Sequence, residues 1–224
     1  SLATQAGSAA TATQAGDSSE VTAAPTAASG ASATEAGAPS GDPLDIIGQA
    51  ERAQLNAPQY IRHTVGTDGD SHYEITIEYI APDYLHEIVG DNEFVYIKDG
   101  GTWRRANGGD WTATSSDGSA QVFAALDPAT IDELLASVDI NQVKFLGPEL
   151  LDGRPTWVYQ FVTHTDIGNG KVLEATSKLW VGVADGLPYR SESDNPSVLT
   201  EGATGHSETT VDYTTEIVRL QPNP

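Results

Sequence analysis

Cysteine and methionine are both missing from the 224 residues. The first absence removes disulfides, thiol nucleophiles and zinc–thiolate centres together. No apolar run approaches the roughly 18 residues that a membrane-spanning helix needs. Basic residues are scarce, with 11 Lys and Arg against 32 Asp and Glu, giving a net charge of -21 and a pI near 4.2. Such a chain repels phosphate backbones and anionic lipid surfaces, so nucleic acid is not an expected partner.

Aromatic residues are absent before Tyr60, and all four Trp, eight Tyr and four Phe follow from there. Of residues 1–42, 32 are Ala, Thr, Ser or Gly, and the only charges are Asp17, Glu20, Glu35 and Asp42. That stretch buries too little apolar surface to offset an ordering entropy of roughly 1–2 kcal/mol per residue. We expect residues 1–42 to be a disordered tether and residues 43–224 to form one folded domain. Two uses suit such a tether: a spacer from a membrane anchor lying upstream of Ser1, or a linker between domains of a longer chain.

What is present reads as a short helix followed by strands. Asp42-Pro43-Leu44-Asp45 supplies a cap, a first-position proline and an acidic first turn. Leu44, Ile47 and Ala50 then recur at helical spacing, and the helix should end near Asn56, before Pro58. From Tyr60 the period becomes two. In "SHYEITIEYI" the side chains of Tyr73, Ile75, Ile77 and Tyr79 share one face, with His72, Glu74, Thr76 and Glu78 opposite. Turn signals at Thr67-Asp68-Gly69-Asp70, Gly90-Asp91-Asn92 and Asp99-Gly100-Gly101 divide an antiparallel meander.

A second helical region follows residues 117–119; within it Asp127-Pro128 restarts the helix, and Ile131, Leu134, Leu135 and Val138 form a stripe. Four longer β runs and the short "LPYRSES" strand close the chain. The expected class is α+β, mainly β: a strongly curved antiparallel sheet of about 9–11 strands, an unclosed barrel, with two helical segments over its concave face. "EFVYIK" poses a problem of cover, because Phe94 and Tyr96 point one way, Val95 and Ile97 the other, and both faces are apolar.

Motifs for chemistry are weak. His63, His72, His86, His164 and His206 form no close metal-ligand pair, so no metal site or cofactor is expected. "GHSET" at 205–209 has Thr209 where a nucleophile elbow needs glycine, and a strand rather than a helix follows it. "TDGDSH" and "DIGNGK" lack the bidentate glutamate of a calcium loop, and Pro196 blocks the Asn195 sequon. With no base, nucleophile and oxyanion donor assembled, no catalytic residue and no enzymatic activity are expected.

The better lead is the set Tyr96, Trp103, Trp157, Tyr159, Phe161 and Trp180 on or beside central strands, with Leu134, Leu135 and Val138 on the covering helix. Two readings of it stay open, a fully packed core and a ligand cavity. Arg104 and Arg105, beside Trp103, suit either a lipid head group or the surplus carboxylates.

The order of elements, "PDYLHEIVGDNEFVYIKDGGTWRR", "LWVGVADGLPYRSES" and the closing "TTVDYTTEIVRLQPNP" resemble the bacterial lipoprotein-carrier superfamily of LolA, LolB and LppX/LprG over about residues 43–222. The resemblance implies an unclosed barrel with helices across its mouth and a cavity, lined by the nine residues just named, for a lipid or the acyl chains of a lipoprotein. It also implies an exported protein, a non-enzymatic transport or chaperone role, and tethering to the outer face of a bacterial membrane through a lipidated cysteine that is not in this sequence. The tether favours the LppX/LprG or LolB side, and a monomer is expected. An alternative within the same fold is a cell-envelope sensory or protein-interaction domain that holds no ligand.

Overall fold

The computed structural model describes residues 37–114, 117–166, 172–197 and 203–222. Of the expected tether, residues 1–36 lie outside the described residues, as does most of the Asp166–Gly170 turn. The segment before the first helix already lies against the sheet, where the carbonyl of Gly37 accepts the Trp157 indole N–H at 3.0 Å.

The elements follow in order. Helix α1 (Pro43–Leu55) leads into β1 (Gln59–Asp68), β2 (Ser71–Ile80), β3 (Tyr84–Val89), β4 (Asn92–Ile97), β5 (Gly101–Ala106) and the two-residue β6 (Thr112–Ala113). Helices α2 (Asp117–Ala125) and α3 (Pro128–Ser137) and a 3₁₀ turn (Ile140–Gln142) come next. Strands β7 (Lys144–Leu151), β8 (Arg154–Asp166), β9 (Val172–Gly182), β10 (Pro188–Pro196) and β11 (Thr204–Asp212) complete the fold.

Both longer helical starts use the same device. Asp42 accepts the N–H of Leu44 and Asp127 that of Ala129, each at 2.9 Å, and each aspartate is followed by proline. These caps satisfy amides left free at a helix start and favour the negative charge there.

The eleven strands form one antiparallel sheet in the order β6-β5-β4-β3-β2-β1-β11-β10-β9-β8-β7. The chain thus enters at the centre with β1, steps outward to β6, crosses to the far edge through α2 and α3, and returns inward until β11 pairs with β1. Because β6 and β7 remain unpaired with each other, the sheet is an unclosed barrel, and of the crossing helices α2 packs on β4 and β5 and α3 on β8. Hairpins are local, so ladder after ladder forms at low loop-closure cost.

Strand register assigns every side chain to a face. Tyr60, Ile77, Leu85, Tyr96, Val181, Leu179 and Tyr159 fall on the inner face, which carries the helices, through the pairs Tyr60↔Tyr79, Tyr79↔Leu85, Leu85↔Tyr96 and Tyr159↔Leu179. Two apolar clusters occupy that face. Ile47 and Ala50 of α1 pack with Tyr159, Phe161, Leu179 and Val181, and α3 adds Leu135. Ala57, Tyr60, Tyr79 and Leu85 form the other, with Val122, Phe123 and Leu126 from α2 and its C-terminal end. Ile47 has no exposed surface. Burial of such a side chain contributes about 1.5–3 kcal/mol, which explains why a short helix with a modest apolar stripe stays docked. Gly48 permits the close approach of α1 to α3, since a Cβ there would sit 2.7 Å from Leu135 Cδ1.

The outer face of "EFVYIK" has its own cover. After β11 the chain runs back over β3: Leu220 donates its N–H to Tyr84 Oη at 3.0 Å, and Arg219 pairs with Asp83 while lying 5.2 Å from the Tyr84 ring centre. Tyr84 and Val95 are fully buried as a result. The strap is held at its start by Asp212, whose carboxylate accepts from the Thr214 and Thr215 hydroxyls at 2.7 and 2.5 Å. Those bonds hold the Asp212 carboxyl well below the usual carboxylate range.

Candidate ligand-binding site

Several of the expected site residues converge on the inner face. Trp157, Tyr159 and Phe161 alternate along β8 toward α1 and α3, and Leu135 and Val138 meet them from above. Tyr96 belongs to the other cluster, under α2 beside Phe123. Leu134 is half-buried on α3.

Trp103 and Trp180 lie elsewhere. Trp103 pairs with Val95, and Trp180 with Val158, so both project from the outer face, away from the helices. Trp180 is closed over there by Arg190, whose guanidinium lies 4.9 Å from its ring centre, and its indole N–H donates to Glu149 at 3.1 Å. Trp103 borders a cleft of about 260 Å³ beneath the C-terminal strap, with Tyr84, Ile97 and Leu220. Neither indole joins the ring of side chains beneath the helices. The physical reason is the turn at Asp99–Gly100: its length sets Ile97 opposite Gly101, and that register fixes which face residue 103 takes.

The two flanks of the inner face differ in closure. Under α1 and α3 the apolar side chains touch directly. Under α2 a cleft of about 610 Å³ opens between the helix and the β4–β5 turn, lined by Lys98, Gly101, Ser119, Ala120, Phe123 and Asp127 among others. Its floor reaches Phe123, the residue through which α2 packs on the sheet. A volume of this size falls within the range of small-molecule sites.

Polar atoms without partners mark the same face. The Tyr159 hydroxyl and Thr102 Oγ1 are buried with no hydrogen-bond partner among the described residues. Burial pushes the Tyr159 phenol up to about 12. Thr102 sits under the first turn of α2, where a Cβ on Gly118 would lie 3.3 Å from its Oγ1. Buried groups left without partners are uncommon in folded proteins.

The other motifs resolve into structure. Ser207 of "GHSET" is mid-strand in β11, opposite Gly66 and Ser193, with no helix behind it. "TDGDSH" is the β1–β2 hairpin turn. His86, on the outer face, is clamped between Glu78 at 2.9 Å and Glu93 at 3.2 Å, and Arg105 completes the chain by pairing with Glu93 at 2.6 Å. Arg105 thereby takes the carboxylate role rather than a head-group role, and it holds the Glu93 carboxyl below its ordinary range. Sequence reasoning offered no signal for this network, because its members come from four strands.

No protein-family model and no curated protein sequence matches the chain. Solved structures do match. LprF from Mycobacterium bovis aligns with a TM-score of 0.54 at 14% identity, over 84% of this chain and 100% of that one. Lipoprotein LppX from Mycobacterium tuberculosis aligns with a TM-score of 0.47 at 18% identity, over 80% of this chain and 98% of that one. A LolA superfamily protein from Nitrosomonas europaea aligns with a TM-score of 0.29 at 9% identity, over 77% and 92%. The open eleven-stranded antiparallel sheet with its three helices is thus similar in fold to LprF.

Proposed function

We propose that this chain is an exported, membrane-tethered domain that holds a hydrophobic ligand, a lipid or the acyl chains of a lipoprotein, between the inner face of its sheet and its helices. It acts by binding alone, as a carrier or chaperone, and works as a monomer. The observation that carries the reading is the unequal roof. Helices α1 and α3 seal one flank, whereas α2 stands beside a cleft of about 610 Å³ whose lining includes Phe123, a residue packed against the second apolar cluster. Each methylene that enters contributes about 0.8 kcal/mol, so a single long chain is held without polar recognition. Exchange requires α2 to lift, and the Asn107-Gly108-Gly109 loop that precedes it supplies a hinge, with positive φ at Asn107 and Gly108. The Ala/Thr/Ser/Gly composition of residues 1–42 supports a spacer to a lipid anchor.

A second reading, an interaction domain with a collapsed interior, is favoured by the direct packing of Ile47 onto Tyr159 and Leu179. Native mass spectrometry of the purified chain, followed by organic extraction, separates the two. Recovery of a defined lipid supports the carrier. A clean apo mass that persists after incubation with fatty acids supports the interaction domain.

A further inference from the structure

The inner face is not apolar throughout. Between its two apolar clusters, the central strands β1, β11 and β10 present Arg62, Thr64, Thr209, Ser191 and Ser193 on the same side by register. The hydroxyls of Thr64 and Thr209 meet at 2.8 Å, so they satisfy one another. Arg62 has no such relief. Its neighbours across the ladder are Ile77 and Val211, both members of the apolar packing. Its Nε is enclosed and has no acceptor among the described residues.

Every other arginine of the fold is engaged. Arg52, Arg105, Arg190 and Arg219 each pair with a carboxylate, Arg104 donates to Asn92, and Arg154 lies 3.6 Å from the Tyr189 ring centre. Arg105 and Arg190 also keep an idle Nε, but their terminal nitrogens are tied. No salt bridge among the described residues includes Arg62. Its resident countercharge is Glu51 on α1, which faces it without forming an ion pair. Glu51 keeps part of its surface open, yet the protein packed around its carboxyl pushes it above the ordinary range, an effect larger than the opposing pull of Arg62.

An arginine that is half-buried, with its Nε enclosed and lacking an acceptor, keeps an unsatisfied donor, and its planar fork matches a carboxylate or phosphate bidentately. We propose that Arg62 anchors the anionic group, a carboxylate or a phosphate, of an amphiphile whose chain lies in the adjoining apolar flank. This rests on the hydrophobic-ligand reading and narrows it: neutral waxes and triacylglycerols are disfavoured, and acids and phosphates are selected. Because Glu51 rides on α1, an α1 displaced by the ligand takes its own carboxyl away as the ligand's anion arrives.

The test uses the whole chain, delipidated, with three ligands of one chain length: oleate, oleyl phosphate and oleyl alcohol, titrated calorimetrically. The expected result is that at least one of the two anions binds about tenfold or more tightly than the alcohol. A stronger response to oleate identifies a fatty acid source, and a stronger response to oleyl phosphate a phospholipid one. Arg62→Met should erase the preference while leaving alcohol affinity unchanged, and Arg62→Lys should restore part of it. If Arg62→Met fails to fold, Arg62→Gln serves, with the same selective loss expected. Equal binding of all three ligands, or a variant that loses acid and alcohol alike, overturns the role of Arg62 and leaves the hydrophobic-ligand reading standing. Failure of all three to bind overturns that reading itself.

Discussion

Locking α2 onto the sheet gives a strong perturbation in a chain that has no cysteine of its own. A Cβ placed on Gly118 would lie 3.9 Å from the Cβ of Thr102, within the usual Cβ separation of a disulfide, about 3.5–4.5 Å. Removing the Thr102 hydroxyl costs no hydrogen bond, because Oγ1 has no partner among the described residues. In the double variant Thr102→Cys/Gly118→Cys, the bridge closes the loop between residues 102 and 118. For a loop of this length the chain-entropy account gives a stabilisation of about 3 kcal/mol. Urea unfolding with and without reductant reads that difference, and thiol titration confirms that the bridge has formed. Uptake of a fluorescent fatty acid should stop in the oxidised variant and return on reduction. A pair that stays reduced under oxidant refutes the placement of α2 on β5, and unimpaired uptake by the oxidised protein refutes the lifting of α2 as the route of entry.

Two further outcomes follow from packing and charge. Ile47→Ala leaves a cavity between α1 and the Tyr159–Leu179 pair, and should cost about 2–5 kcal/mol in urea unfolding. Asp212 has a folded-state pKa depressed by the Thr215 and Thr214 hydroxyls, so its contribution is present above the ordinary carboxylate pKa, near about 4, and is lost as pH falls below it. Asp212→Asn should therefore be less stable than the parent at pH 7, with the gap narrowing progressively as pH falls below about 4 and still open at about pH 3, as measured by urea midpoints across that range.

The parts of this fold legible in the sequence are those set by local chemistry. Asp-Pro starts gave α1 and α3, and the alternation of Tyr73, Ile75, Ile77 and Tyr79 gave the inner face of β2. The two turn residues between Asp68 and Ser71 marked a hairpin. What stayed hidden depends on register between strands. In β1 Ile61 and Val65 turn outward, with Val65 41% exposed, and Arg62 comes inward. The two-residue β1–β2 turn sets Arg62 opposite Ile77, and the pairing of β1 with β11, remote in sequence, places Val211 on its other side. Trp103 and Trp180 lie opposite Val95 of β4 and Val158 of β8, strands that are apolar on both sides, where period alone cannot choose a face. The cover that makes the outer face apolar is the C-terminal strap, whose docking on Tyr84 links residues 136 apart.

The account rests on a hydrophobic chain lying between the inner face and the helices. Photolabelling with a diazirine fatty acid, followed by peptide mapping of the attached sites, tests this most directly. Labels on inner-face residues such as Tyr96, Phe123, Tyr159, Phe161 or Val138 are the predicted result. Labels confined to Trp103, Trp180 and the strap-covered outer face, or no specific labelling at all, would contradict it.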